Sequence, residues 1–168
     1  IRKAGLENEI QLNIEVNHAT LSGHSFEHEI CYAIANNTLG SIDINRGDTL
    51  LGWDTDQFPN NPSDLLIAFY HIFSNGGFKQ GGLNFDAKIR RQSIEPQDLF
   101  YAHIGGMDVA ARTLLAVEKM ILDGELSNYV KNRYQNWNND LGKFIHNKEN
   151  DLESVAKKVI DGNLDPKP

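Results

Sequence analysis

The sequence holds a single cysteine, Cys31, among 168 residues. An internal disulfide is therefore excluded, and a reducing compartment suits the chain. Cys31 lies in an apolar helical stretch and reads as a small buried hydrophobe rather than a nucleophile. No apolar run approaches the roughly 20 residues that a membrane-spanning helix requires. The N-terminus, Ile1-Arg2-Lys3-Ala4-Gly5, has neither the apolar core nor the small-residue cleavage site of a secretory signal. These absences together predict a cytoplasmic protein. The missing initiator Met predicts a segment or a processed chain. Basic residues are in the minority, with 16 Lys and Arg against 23 Asp and Glu and a formal charge of -7. Phosphate backbones reward clustered cations, and the basic stretch Lys88 to Arg91 is short and set among acids, so a nucleic-acid partner is excluded. Internal repeats and low-complexity segments are also missing.

What is present is the composition of a soluble globular domain, 40% apolar and 23% charged. Its length suffices for a real core. Three runs read as strands: Ile10 to Glu15, Leu39 to Ile44 and Gly82 to Asp86. Between them lie helical patterns. Ser25 to Asn36 places Phe26, Ile30, Ala33 and Ile34 on one face, with acids near its start where the helix dipole favours them. Ser63 to Ser74 opens on a serine N-cap candidate and carries Leu65, Leu66, Phe69, Ile72 and Phe73. The glycine pairs Gly76-Gly77 and Gly81-Gly82 read as tight turns. From Gln97 to Leu122 the pattern predicts one long helix or two, broken or bent near Gly105-Gly106. A helix over Leu126 to Tyr134 is followed by an Asn-rich patch, Asn136 to Asp140, a last helix over Leu152 to Ile160 and a fraying tail, Asp165 to Pro168.

Alternating strands and helices predict a parallel α/β arrangement. A (β/α)8 barrel needs about 250 residues, so this chain can supply only three strand–helix units, an incomplete barrel on its own. The expected division is residues 1–122 as barrel and 123–168 as a helical C-terminal tail. A narrow three-stranded sheet with two open edges requires a covering segment.

Each strand has a carboxylate at or near its end, where parallel α/β folds place their chemistry. Glu15, Asp43 and Asp86 would be brought together by such a fold. His18 follows Glu15 by three residues, and the chain must turn there for both to point inward. Asp54 and Asp56 lie two apart in the loop after the second strand, which in extended backbone puts them on one side. Acids gathered this way repel one another without a cation. Oxygen donors with one imidazole suit Mg²⁺ or Mn²⁺, leave Co²⁺ open and disfavour zinc.

The runs that carry these residues resemble class II xylose isomerases. Asn13-Ile14-Glu15-Val16-Asn17-His18-Ala19-Thr20-Leu21-Ser22-Gly23-His24 is similar to that family's sixth-strand motif. Gly40 to Asp48 is similar to its seventh strand, and Leu51 to Pro59 to the loop beyond it. Gly81 to Lys88, with Arg90-Arg91-Gln92-Ser93, is similar to the eighth strand and its exit. The likeness continues through Asp98 to Gly105.

The resemblance implies the last three units of a TIM barrel and a metal-assisted 1,2-hydride shift. That reaction converts D-xylose to D-xylulose, and D-glucose to D-fructose. It implies two divalent cations, Mg²⁺ first, bridged by Glu15. Asp43 and Asp86 would complete one site; His18, Asp54 and Asp56 would complete the other. Lys88 would stand beside the first as a supporting charge. The family's catalytic His and Lys, and one more metal-binding Glu, come from strands upstream, so no catalytic residue is assigned here. The implied partners are a sugar, the N-terminal barrel segment and three further copies in a homotetramer. Residues 123–168 would act as a subunit-contact arm, with Tyr129, Tyr134 and Trp137 buried against the rest of the barrel or a neighbouring subunit. The alternative is a catalytically incomplete chain that binds metal or packs against another subunit.

Other candidates carry less. His24 and His28 have zinc-enzyme spacing, but Ser25 follows His24 where a metalloprotease has Glu, so they read as surface or supporting residues. His71 and His103 read as packing or surface residues. Trp53 could wall the site or anchor its loop.

Overall fold

The computed structural model describes residues 1–48, 50–89 and 92–164. Arg90 and Arg91 of the strand-exit motif, and the tail Asp165 to Pro168 expected to fray, lie outside the described residues. The chain divides into two compact units, Ile1–Asp123 and Gly124–Pro168.

In the first unit, β1 (Leu12–Glu15), β2 (Leu39–Asp43) and β5 (Leu83–Asn84) form a parallel sheet in the order β1-β2-β5. This is a mixed α/β unit with a small parallel sheet. The register sets Glu15 beside Asp43, and Asp43 beside Asn84. Asp86 stands two residues beyond the last strand. The expected strand over Gly82 to Asp86 is thus shorter, because only Leu83 and Asn84 find a neighbour to pair with on β2.

Alternation within the strands places Ile14 and Ile42 in the core. Helices α2 (Phe26–Ala35) and α3 (Ser63–Ser74) bury Phe26, Ile30 and Ala33, and Leu65, Phe69 and Ile72, as periodicity assigned, whereas Ile34 and Leu66 are half-buried and Phe73 is exposed at the edge of those faces. Each large apolar side chain taken from water contributes about 1.5–3 kcal/mol. Asn36 and Asn37 terminate α2, Asn37 at a φ of 54°. Asn often tolerates that left-handed backbone. The N-cap of α3 is Pro62 rather than Ser63. Asn61 takes the capping role one residue further back, its Oδ1 accepting from Ser63 N at 3.1 Å.

Two further features bear on the site. The end of the Gly40 to Asp48 motif and the segment from Leu51, read as loop, form an antiparallel hairpin of β3 (Arg46–Asp48) and β4 (Trp53–Gln57). Their polar composition hid the pairing, since neither strand shows an apolar alternation. The second point is α4, which runs unbroken from Pro96 to Asp123, the single long helix of the two expected alternatives. Gly106 is no break; it is buried, and a Cβ there would lie 3.1 Å from the Phe85 ring. Phe58, Phe85 and His103 gather at this close approach, with His103 4.6 Å from Phe58 between ring centroids. His103 is therefore a packing residue.

Gly81 has a φ of 77°, and a Cβ there would fall 2.6 Å from the Gly40 carbonyl oxygen. Gly81→Ala should cost about 2–4 kcal/mol, from left-handed backbone and a backbone clash at the entry to β5. Urea unfolding measures this; a change within about 0.5 kcal/mol contradicts the close approach.

The second unit contains α5 (Glu125–Tyr134), a 3-10 turn at Gln135–Asn138, α6 (Asp140–His146) and α7 (Leu152–Asp161). The Asn-rich patch serves as turn and cap, Asn139 Oδ1 accepting from Gly142 N at 2.9 Å. Asp151 caps α7 through Ser154 N at 2.9 Å. Tyr129, Tyr134 and Trp137 remain exposed. No helix among the described residues is long and apolar enough to cross a membrane.

Candidate metal centre

Glu15 is both the last residue of β1 and the N-cap of α1 (Val16–Leu21). The chain thus turns at the strand end by starting a helix. In a helix, residues three apart share a face, so Glu15 and His18 converge, with His18 Nδ1 3.4 Å from Glu15 Oε2. His18 Nε2 lies 3.3 Å from Asp54 Oδ2 on β4. On the other side of Glu15 stand Asp43 and Asp86. Two triads result, Glu15–His18–Asp54 and Glu15–Asp43–Asp86, each offering ligand atoms within 4.8 Å of one another. Glu15 belongs to both.

Asp56 is placed differently. Its φ of 44° breaks the strand alternation, so two-residue spacing from Asp54 does not give a shared direction. Its Oδ2 pairs with Lys88 Nζ at 2.6 Å, and Lys88 also lies 3.6 Å from Asp86 Oδ1. Lys88 N donates to Asp56 O at 2.7 Å, which ties the exit of β5 to the hairpin. Asp56 belongs to neither triad. Lys88 therefore links the acid of one side to the acid of the other. Trp53 is half exposed at the start of β4.

Glu15 is 8% exposed. Burial is the main influence on its carboxyl, raising its pKa above the ordinary carboxylate range. The Asn45 amide and His18 pull it back, and the charges of Asp54 and Asp86 push it up again. A buried carboxylate among other acids is unfavourable as an anion unless a cation joins it. The donor set, mostly oxygen with one imidazole, fits hard divalent ions such as Mg²⁺ or Mn²⁺.

Amides, which the sequence reading passed over, orient these acids. Asn13 Nδ2 donates to Asp43 Oδ2 at 2.6 Å, and Asn84 Nδ2 to Asp43 Oδ1 at 3.2 Å. Ser41 Oγ donates to Asn13 Oδ1 at 2.7 Å and so selects the amide's orientation. Asn17 Nδ2 donates to Asp54 Oδ1. Asn45, buried at the end of β2, donates to Glu15 Oε1 at 2.6 Å and to Asp86 O at 3.0 Å, and accepts from Asn17 N at 3.1 Å. A signal was available: Asn13, Asn17, Asn45 and Asn84 each stand two residues from Glu15, Asp43 or Asp86. In extended backbone that spacing shares a face.

Fold and side chains define a mixed α/β chain with an oxygen-rich, cation-compatible cluster at the carboxyl ends of parallel strands. No family model matches the sequence. Among known proteins it resembles xylose isomerases along its entire length and corresponds to their C-terminal part. It is 55% identical to the xylose isomerase of Histophilus somni over 168 residues, 100% of this chain and 38% of that protein. Against the xylose isomerase of Ruegeria pomeroyi the identity is 52% over the same shares. For that of Escherichia fergusonii it is 54%, covering 99% of this chain and 38% of the relative. The chain thus spans about 38% of the length of the relatives it matches.

Proposed function

We propose that this chain forms the C-terminal part of a cytoplasmic, metal-dependent aldose–ketose isomerase. Its reaction would convert D-xylose to D-xylulose, and D-glucose to D-fructose, by a 1,2-hydride shift. The observation that carries the reading is Glu15, buried and shared by two ligand triads, within a sequence 55% identical to a xylose isomerase.

Glu15, Asp43 and Asp86 would hold one divalent cation, and Glu15, His18 and Asp54, with Asp56, the other. Bound there, Mg²⁺ (or Mn²⁺ or Co²⁺) would polarise sugar oxygens and neutralise developing negative charge. The chain's own residues prepare that site. Asn13 and Asn84 hold Asp43 by both carboxylate oxygens, and Asn17 holds Asp54. Lys88 restrains Asp56 and moderates the charge of Asp86. Asp56 pairs with Lys88 through Oδ2, which leaves Oδ1 as the oxygen it would offer to a cation.

The three parallel strands would be the last three of a TIM barrel, with residues 1–122 in the barrel and 123–168 as an arm reaching other copies of a tetramer. Sheet edges at β1 and β5, and exposed Phe100, Tyr101 and Leu115 on α4, support a covering segment. The same exposure favours a second reading, in which the chain alone binds metal or packs on a subunit without turning over sugar. An assay of D-xylose to D-xylulose conversion with Mg²⁺, Mn²⁺ or Co²⁺ separates them. The chain is tested alone, and then with the N-terminal barrel segment of a xylose isomerase added. Turnover on reconstitution, lost in Glu15→Gln, is expected; no turnover in either arm overturns the isomerase reading.

A further inference from the structure

A second cluster of ligand-type side chains stands outside the acidic centre, where α1 hands over to α2. His24 precedes the N-cap Ser25, while His28 and Glu29 lie in the first turns of α2. Gly23, at a φ of 80°, turns the chain back, and His24 N donates to Ala19 O at 3.0 Å, which fixes His24 against the end of α1. Its Nδ1 meets Glu29 Oε1. His28 Nδ1 lies 3.6 Å from the same oxygen. The two rings are 4.7 Å apart and inclined at 55°, so their faces do not stack. One ligand atom from each of the three residues falls within 4.8 Å of the others.

We propose that His24, His28 and Glu29 form a separate divalent-cation site that takes Zn²⁺. One imidazole suffices to hydrogen-bond Glu29, and the second, with Nδ1 3.6 Å from the same oxygen, completes a three-atom set of the size that a cation takes. Two nitrogens and one oxygen make a borderline donor set, unlike the oxygen-rich cluster around Glu15, and zinc accepts three such ligands with water in the fourth position. All three side chains reach solvent, so the ion can enter without opening the core. Its effect is to clamp the start of α2 to the end of α1, the short helix that carries His18. The sequence hides the site because Glu29 follows His28 rather than His24, so no zinc-enzyme motif is spelled out.

The test is zinc titration calorimetry on the full chain, freed of metal by chelation and held in excess Mg²⁺ to occupy the oxygen-rich cluster. One zinc per chain is expected. His28→Ala and Glu29→Gln should each weaken it at least about tenfold, on the scale by which ligand-shell changes alter metal affinity. Glu15→Gln should leave it intact. His24→Gln, which can still donate a hydrogen bond to Glu29, should weaken zinc as well; a plain helix-start ion pair predicts instead that zinc uptake by the unchanged chain is lost with Glu15→Gln. Co²⁺ substitution gives a second readout: intense visible absorption from a four-coordinate site, lost in Glu29→Gln. Zinc binding unchanged in both Glu29→Gln and His28→Ala overturns the proposal, as does zinc lost with Glu15→Gln. Far-UV circular dichroism confirms that each variant is folded; should His28→Ala fail to fold, Glu29→Gln decides.

Discussion

Replacing Glu15 with Gln should abolish the stabilisation that Mg²⁺ or Mn²⁺ confers on the chain. A ligand that binds only the folded state adds about 2.7 kcal/mol at a concentration one hundred times its dissociation constant. The thermal midpoint of the unchanged chain should therefore rise on adding Mn²⁺ and fall on adding chelator. Gln keeps the shape of Glu15 and can still accept the Asn45 hydrogen bond, so the change removes charge and little else. Because Glu15 belongs to both triads, both sites should weaken together, each by about a hundredfold or more, the upper end of ligand-shell effects. His18→Ala should weaken only the site shared with Asp54. Equal losses at both sites in both variants would contradict the shared role of Glu15.

The same carboxyl predicts a pH trend whose sign depends on metal. Burial raises the Glu15 pKa in the folded state. Between the ordinary carboxylate range and that raised value, the folded chain holds a proton that the unfolded chain has released. Stability then falls as pH rises through this window. The Glu15 contribution is fully present below the unfolded pKa and gone above the folded one. With Mn²⁺ in excess the trend should reverse, since the ion binds the deprotonated carboxylate and protons compete with it. Glu15→Gln should remove that part of the slope in chelator. Thermal midpoints across mildly acidic pH, with and without Mn²⁺, check both signs.

Asn45→Ala should be the second large effect, destabilising the fold by about 2–4 kcal/mol, because it leaves several buried polar groups without partners. Asn45 is 1% exposed. Its loss removes the donor to Glu15 Oε1 and Asp86 O, and the acceptor of Asn17 N. Those contacts join the ends of β1 and β2, the start of α1 and the segment after β5. Mn²⁺ affinity should fall about 10–100-fold, as it does when groups that orient metal ligands are removed. Asn45→Asp should be worse near neutral pH, since it sets an anion against Glu15, and should partly recover in acid. Urea unfolding and Mn²⁺ titration measure the two consequences. A stability change within about 0.5 kcal/mol together with unchanged Mn²⁺ affinity would show that Glu15 is held by other groups.

Helix α3 shows how much of the fold was legible beforehand. Its apolar residues recur at helical spacing between Pro62 and a glycine pair, and its bounds match that reading to the residue. Burial on one face is a local, periodic signal. The β3–β4 hairpin was not legible, because strands made of Arg, Gly, Asp, Trp and Thr show no apolar alternation. Its pairing depends on partners across a turn. Gly106 left the choice between one helix and two open for a related reason: a glycine within a helical pattern reads as weakness. Here it gives room to Phe85, which lies 21 residues earlier in sequence and beside it in space.

Around Glu15 the division is similar. The sequence by itself determined that acids end three parallel-type strands, that few cations oppose them and that the runs resemble xylose isomerases. Those features are local in the chain: residue type, spacing and order. Only the tertiary structure decided which acids meet. Glu15 joins both triads because its strand ends directly in a helix beside β2, while Asp56 turns to Lys88 because its backbone leaves the strand alternation at a φ of 44°. It also brought Glu29 between His24 and His28, and set Asn45 against Glu15. The direction of a side chain depends on backbone angles and on neighbours distant in sequence, and neither is written in the spacing of residues along the chain.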